Sequence, residues 1–463
     1  MSAPLRPDEM VEVALARSVT DACVVLVTVS SQANLRWAAN TLTTNGQTRS
    51  RTMTVVAMSG APPDASAGGL TRTVTDADDI ASLVADAEAL ARQSPPEQSA
   101  QVLPDGPEAR DFTEAPVVAG IEVFGEMSAA LGDVLAAARG DGVQTYGYAE
   151  HMLDTTYLGT STGVRHRHVQ PSGHLTVTAK NADMSASTWT GLASRDFTDI
   201  DMHAVDADLR RRLEWSKRRI DLAPGRYPAI LPPTSVADLA IYAYWEMAAL
   251  HAQDGRSVYS APGGGTRLGQ QVVDPKVTLR SDPKYPGLEC DPVVVAAASS
   301  PITSVFDNGL PASASRWIDR GRLDALVQTR YSASLTGMPV TPAVDNLVLE
   351  VEGGAGSVDH LVEGLGTGLL LTSLWYIREV DPQTLLLTGL TRDGVFVVSE
   401  GEVVGVAPNF RFNESPIDVL GRVRSAGSTV ATFSREWGEW FSRTAMPPLT
   451  IEDFHFSTAS DAQ

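Results

Sequence analysis

From residue 368 to residue 407 the chain reads GLLLTSLWYIREVDPQTLLLTGLTRDGVFVVSEGEVVGVA, apolar β-type runs interrupted by Asp381-Pro382, Asp393-Gly394 and Glu400-Gly401. Each of those pairs is a turn signal, so the pattern predicts consecutive strands folding back on one another as an antiparallel meander. A stretch of this kind commits the second half of the chain to mainly β structure. It also demands a separate covering element, because strands of alternating burial need something to pack on. The run VADLAIYAYWEMAALHA, residues 236–252, supplies one: it is apolar at helical spacing and ends at Gln253, Asp254 and Gly255.

Upstream of that helix, LAPGRYPAILPP (residues 222–233) breaks the periodicity with Pro and Gly, and the domain boundary is placed there, giving domains of residues 1–221 and 222–463. The first domain opens with a helix at PDEMVEVALARSV, followed by β-branched runs ACVVLVTVSS, NLRWAANTLTT and residues 48–58, with a hairpin turn expected at Asn45-Gly46. APPDASAGG reads as a loop, DADDIASLVADAEALARQ as a helix with an acidic start, and residues 94–116, rich in Pro, Glu, Ser and Gly, as an exposed connection. EMSAALGDVLAAARGDG predicts another helix, YGYAEHMLDTTYLGTSTGVRHRHVQ and HLTVTAKN predict strands, and residues 201–219 predict a helix. The fold class expected is therefore α+β, with an N-terminal α/β domain and a C-terminal, mainly antiparallel β domain that has a helix at its start. No repeat of a solenoid or propeller is evident, and STASDAQ at the C-terminus is expected to fray.

Composition narrows the setting. With 463 residues and 43% hydrophobic content the chain can bury a large core. No window is long and apolar enough for a spanning helix, and the N-terminus lacks the basic start and apolar core of a leader, so a cytoplasmic protein without membrane contact is expected. Cys23 and Cys290 are its only cysteines, too few for a disulfide framework or a cysteine metal cluster. A net charge of −20 repels polyanions, which argues against direct nucleic-acid binding.

Four stretches then go together: NLRWAANTLTTNG, DLAPGRYPAILPPTSVADLA, GLLLTSLWYIREVDPQTLLLTGLTRDGVFV and GEVVGVAPNFRFNESPIDVL. In that order they resemble the TldD/PmbA family over nearly the whole chain. The resemblance implies a two-domain α/β architecture and cytoplasmic proteolysis of peptides and small unfolded proteins by a heteromer of two homologous subunits. The TldD-type subunit carries zinc on an HExxxH motif with a distant cysteine, and the TldE (PmbA) type lacks the motif. Placing SVYS (257–260) on the stretch after the family's metal helix puts the two histidines near Ala240 and Trp245 and the base near Ile241. No cysteine follows SPIDVLGRVRSAG. The resemblance thus implies a TldE-like subunit with no cofactor of its own, zinc in a TldD-like partner (or a pairing with a second copy of itself), and a peptide substrate.

Apart from the family, the residues themselves offer other candidates. Glu246 and His251 stand in the predicted helix, but zinc hydrolysis needs two imidazoles on one face, and five residues at about 100° each set these two about 140° apart. They read as a surface glutamate and a helix-end histidine favoured by the C-terminal dipole, and remain the catalytic candidates of an alternative, autonomous metal-dependent peptidase. His166 and His168 alternate on one strand face and could chelate a metal, though no second ligand cluster accompanies them. PGGGTRLGQ and EGLGTGLLL lack the lysine and the strand–helix setting of a phosphate loop, and no G-x-S-x-G elbow occurs. Cys290 reads as structural. Trp375, Tyr376, Arg378, Asn409 and Arg411 mix aromatic and basic groups on predicted strands, a combination that can hold an extended peptide or a partner subunit, or else serve as strand-face packing. A third reading is a non-proteolytic peptide-binding partner protein.

Overall fold

The computed structural model describes residues 5–74 and 76–460. In the N-terminal half, β1 (Ala22–Ala38), β2 (Thr41–Ser59), β3 (Ser66–Thr73), β4 (Gln144–Thr160), β5 (Arg165–Lys180) and β6 (Ser187–Ala193) form one antiparallel sheet, in the order β3-β2-β1-β4-β5-β6. Side chains alternate across it with period two. Val25 and Val27 of β1 lie under α1 (Pro7–Arg17) and α2 (Ala77–Gln93). Ala33, Leu35 and Trp37, on the same face, lie under α3 (Gly125–Asp141) and α4 (Met202–Trp215). Val24 and Leu26 point the other way, onto Val305 and Phe306 of the second half. Asp76 and Asp201 cap α2 and α4, each accepting two backbone N–H bonds.

Three expectations in this half need correcting. The β1–β2 reversal is at Ala39-Asn40, with φ of 46° and 62°, while Asn45 and Gly46 pair with Leu35 and Asn34 inside the hairpin. Two positive φ values suit a tight hairpin turn, and tertiary bonds fix its place: the Asn40 amide donates to Val143 O and accepts from Thr145 N. The APPDASAGG segment is a loop only in its first part, since β3 begins at Ser66. Gly68 is required there, because a Cβ would stand 2.3 Å from Ala91 N in the backbone of α2. The 94–116 connection has no regular strand or helix, yet it buries Ala100, Leu103 and Phe112.

The C-terminal half follows with β7 (Gly225–Leu231), α5 (Pro233–Trp245), α6 (Ala249–Gln253), β8 (Val277–Ser281), β9 (Ser315–Asp319), β10 (Arg322–Leu323), α7 (Arg330–Thr336) and β11 (Leu347–Val351). Then come α8 (Val358–Leu365), β12 (Thr367–Asp381), β13 (Leu386–Ser399), β14 (Glu402–Ala407), β15 (Asn409–Glu414), β16 (Val423–Ala426), β17 (Val430–Thr432), β18 (Thr444–Met446) and β19 (Leu449–Ser460). One sheet runs β10-β9-β8-β11-β18-β17. The other runs β12-β7-β19-β15-β13-β14, and because β12 also pairs with β13 it closes on itself through β7, β19, β15 and β13. Closure removes the sheet edges those strands would otherwise expose. Pairing is mainly antiparallel, as expected, with parallel contacts at β7–β12 and β11–β18.

Helix α5 is buried nearly all round, and its Val236, Ala240 and Ile241 share the largest core with Leu371 and Phe412 of the ring and with Leu279 and Leu347 of the other sheet. The alternate ring residues Ile230, Leu370, Phe396 and Val398 meet Leu361 and Leu365 of α8. The expected continuous helix over 236–252 is instead two helices. Val327 accepts from Ala249 N and donates to Met247 O, which takes those backbone groups out of the helical ladder. Ser457–Ser460, expected to fray, extend β19 and pair with β15; residues 461–463 lie outside the described residues. Among the described residues no helix is long and apolar enough to cross a membrane.

Candidate functional site

The positions to which the sequence resemblance assigns the family's metal ligands and base carry packing groups. Ala240 and Ile241 are fully buried, and the Trp245 ring lies 5.3 Å from that of Trp437 and 6.3 Å from that of Tyr242. None of these three side chains offers a metal ligand, so the residues present do not fit a zinc ion. Among the described residues no three His, Cys, Asp or Glu side chains converge as a donor set.

The break after α5 also separates the two residues first considered there. Glu246 is the C-cap of α5 and His251 lies in α6, so an angle on one regular helix does not apply to them. Burial raises the Glu246 carboxyl, with Glu379 adding to it. Burial and then Arg256 lower His251, so the cation expected at the helix end is disfavoured. His166 and His168 do share a face of β5, with rings stacked at 6.4 Å, but each has its own partner, Asp291 Oδ1 at 2.9 Å and Gln170 Oε1 at 3.1 Å. Cys23 and Cys290 are buried, and burial pushes their thiols up to about 11 and about 12, far from a reactive thiolate. Gly263, Gly264 and Gly265 all have positive φ within the turn between Ser260 and Thr266.

The chemistry-bearing groups gather elsewhere, where β6 of the first half meets β12, β13 and the Ser434–Trp437 turn of the second. Arg435 lies between two indoles, its guanidinium carbon 4.5 Å from the Trp189 ring centre and 5.3 Å from that of Trp375. It donates to Ser373 Oγ and approaches Asp393 Oδ2 at 2.6 Å. Ser187 Oγ of β6 donates to Asp393 Oδ1 at 2.6 Å, so one carboxylate links the two halves. Burial lowers Arg435 below its ordinary range, and Asp393 offsets part of that.

Asp393 reaches this position through a bulge. The β12–β13 register shifts beside it, and Asp393 and Gly394 have φ of 58° and 118°. Asp393-Gly394 is therefore not the turn its sequence suggests but an irregularity inside β13, and the Gly is needed because a Cβ would stand 2.6 Å from the Phe396 ring. Such bulges re-aim side chains, at a cost in backbone strain. A second buried carboxylate, Asp238 of α5, accepts from Ser434 Oγ at 2.5 Å and Glu436 N at 2.9 Å, while its Oδ2 has no hydrogen-bond partner among the described residues. Burial pushes Asp238 up to about 7 against the bonds from Ser434 and Glu436. Nearby, the half-buried His174 stacks on Phe433 at 4.7 Å, and desolvation lowers it.

Two cavities flank the Ser187–Asp393 bond. One of about 390 Å³ is lined by Ser185, Arg219, Asp221 and Asn409 among others, and one of about 320 Å³ by Tyr146, Thr178, Lys180, Arg392 and Arg435; Ser187 and Asp393 line both. The five residues singled out from the sequence are thus distributed. Trp375 joins the Arg435 cluster and Asn409 lines the first cavity. Tyr376 is exposed beneath Arg378, whose guanidinium carbon is 4.3 Å from its ring, and Arg378 pairs with Glu436 at 3.2 Å. Arg411 stands in line with Trp375 across Leu390 of β13 and donates weakly to Thr388 Oγ1 at 3.4 Å. Sequence reasoning missed Asp238, Asp393 and Arg435. Their signals were a lone acid in VADLAIYAYW, an Asp-Gly inside a long β run, and an arginine just ahead of the two tryptophans of SREWGEW.

The sequence profile of the PmbA/TldA metallopeptidase C-terminal domain matches residues 224–458, just over half of the chain. No curated protein matches the chain. Among solved structures, TldE from Thermococcus kodakarensis superposes with a TM-score of 0.75 at 14% identity, covering 96% of this chain and 98% of its own. A putative modulator of a DNA gyrase from Thermotoga maritima gives 0.74 at 16% identity, covering 97% and 98%. Another, from Bacteroides thetaiotaomicron, gives 0.74 at 14%, covering 98% of each chain. At such identities the superpositions speak for a shared fold across both halves. The profile match assigns the lineage: this chain is a member of the PmbA/TldD metallopeptidase-related family.

Proposed function

We propose that the chain is a TldE-type subunit without a metal site of its own, which pairs in the cytoplasm with a zinc-bearing TldD-like homologue and forms part of the cleft that receives peptides and small unfolded proteins. The observation that carries this reading is the occupation of the family's ligand and base positions by Ala240, Trp245 and Ile241, packed into the core around α5. Activation of the attacking water then falls to the partner subunit. In this chain, Arg435, Trp189 and Trp375 form a rigid wall where the two halves meet, and aromatic and basic groups of that kind hold extended peptides or partner surfaces.

Metal content and peptide cleavage test the proposal together. The purified chain alone is expected to hold no stoichiometric zinc and to leave peptides uncut, with chelator-sensitive cleavage appearing when a co-purifying homologue with an intact HExxxH is present. Stoichiometric zinc and chelator-sensitive cleavage by the chain alone would overturn the proposal and return Glu246, His251, His166 and His168 to consideration.

A further inference from the structure

The smaller of the two junction cavities is cationic in a protein whose net charge is −20. Of its charged lining groups three are cations, Lys180, Arg392 and Arg435, and one is a carboxylate, Asp393. Asp393 is already engaged by Ser187 and Arg435. Arg392 reaches it only at 3.9 Å, and Lys180 has no carboxylate within ion-pair distance among the described residues, its Nζ lying 5.9 Å over the Tyr146 ring. Several arginines elsewhere have a carboxylate at close range, among them Arg165 with Glu12, Arg210 with Asp141 and Asp206, and Arg280 with Glu350. Two under-compensated cations facing one cavity, backed by a buried arginine that two indoles hold in place, focus positive potential where the rest of the surface repels anions.

We propose that this cavity binds an oxyanion, and that its occupant is the free C-terminal carboxylate of an extended peptide. Tyr146 and Thr178 add hydroxyls to the same wall, and a guanidinium beside an ammonium suits a carboxylate that accepts charge-assisted bonds from both. The neighbouring cavity across the Ser187–Asp393 bond gives the preceding residues of the peptide somewhere to lie. Asp393 and Arg435 position the site. Arg392 and Lys180, at its rim, make the contact. The proposal rests on the peptide-binding part of the reading above but needs neither the partner subunit nor zinc.

The test is titration of the full chain with tetra-alanine as its free acid and as its C-terminal amide, followed by calorimetry and by tryptophan emission. The free acid is expected to bind about tenfold more tightly than the amide, the size of one charge-assisted bond, and to weaken as ionic strength rises. Lys180→Gln and Arg392→Gln are each expected to bring the affinity for the free acid down toward that for the amide. Either variant suffices should the other fail to fold. Equal binding of acid and amide, an acid preference that survives both substitutions, or no detectable binding of the acid would overturn the proposal. Displacement by inorganic phosphate at concentrations about tenfold below those needed for acetate would overturn the carboxylate assignment and give the cavity to phosphate-bearing ligands. Failure to find a zinc-bearing partner would leave these titrations unaffected, so the two ideas fail separately.

Discussion

Asp238 makes the stability of this protein depend on pH in a direction opposite to that of most paired carboxylates. It is fully buried in α5, and burial raises it from 3.8 to about 7. In the unfolded chain it ionises near its ordinary value, so between about pH 4 and 7 the folded state holds one proton more than the unfolded state. Stability from this group is then fully present below the unfolded pKa and is lost as pH rises through the folded one, at about 1.4 kcal/mol per pH unit. Over roughly three units the loss is on the order of 4 kcal/mol. Asp238→Asn removes the titration while keeping an acceptor for Ser434 Oγ and Glu436 N. Its amide N–H₂ would stand where Oδ2 has no partner, which costs about 1–3 kcal/mol at every pH. Urea unfolding of both proteins from about pH 4 to 8.5 should therefore show the wild type ahead at the acid end, its advantage shrinking by about 1.4 kcal/mol per unit and reversing between about pH 4.5 and 6, with the variant ahead at neutrality. Parallel stability profiles would refute the reasoning and place Asp238 as an ordinary ionised carboxylate, neutralised by Arg435 in the folded state.

Gly68→Ala should cost at least about 2 kcal/mol because its Cβ meets the backbone of α2 rather than a movable side chain. Gly132→Ala, in α3 with open space around it, should be neutral or stabilising by up to about 1 kcal/mol, and equal thermal melting of the two variants would contradict this. Glu436 is buried and accepts from Tyr376 N, Ile377 N and Arg378, so Glu436→Ala should cost about 2–4 kcal/mol through stranded backbone donors. Arg378→Ala, at a half-exposed side chain, should cost less than about 1 kcal/mol by urea unfolding; similar costs would mean that the ion pair, not the backbone bonds, holds in place the register shift of β12 between Trp375 and Arg378.

Helices with explicit caps were the most legible elements. Asp76 and Asp201 open the two runs read as helices, and in the fold each caps its helix, since a cap is a bond between near neighbours. Glycine pairs misled for the complementary reason. Asn45-Gly46 and Asp393-Gly394 both resemble hairpin turns, yet one is extended inside β2 and the other is a bulge inside β13. A dipeptide states which backbone angles are accessible, while tertiary bonds, from Asn40 to Val143 and Thr145 at the true turn and from Asp393 to Ser187 and Arg435 at the bulge, decide where they are used. The meander itself was readable because its alternation runs over many residues. The junction cluster was not, because Trp189, Asp393 and Arg435 are far apart in the chain and meet only when both halves are assembled. The interrupted helix at Met247–Ala249 has the same cause, as Val327 comes from a distant loop.

The closed ring in the C-terminal half has a consequence for how the chain is made. β7 is its first strand to leave the ribosome, yet its two neighbours in the ring are β12 and β19, the latter the last strand of the ring. β7 therefore keeps one edge unpaired until β19 has been made. Long-range pairings of this kind form slowly and leave nascent strands prone to association. Pro228 within β7 and Pro232 just after it are well placed to discourage wrong pairing during that interval, so the prolines that interrupt the sequence pattern at 222–233 also guard the nascent chain.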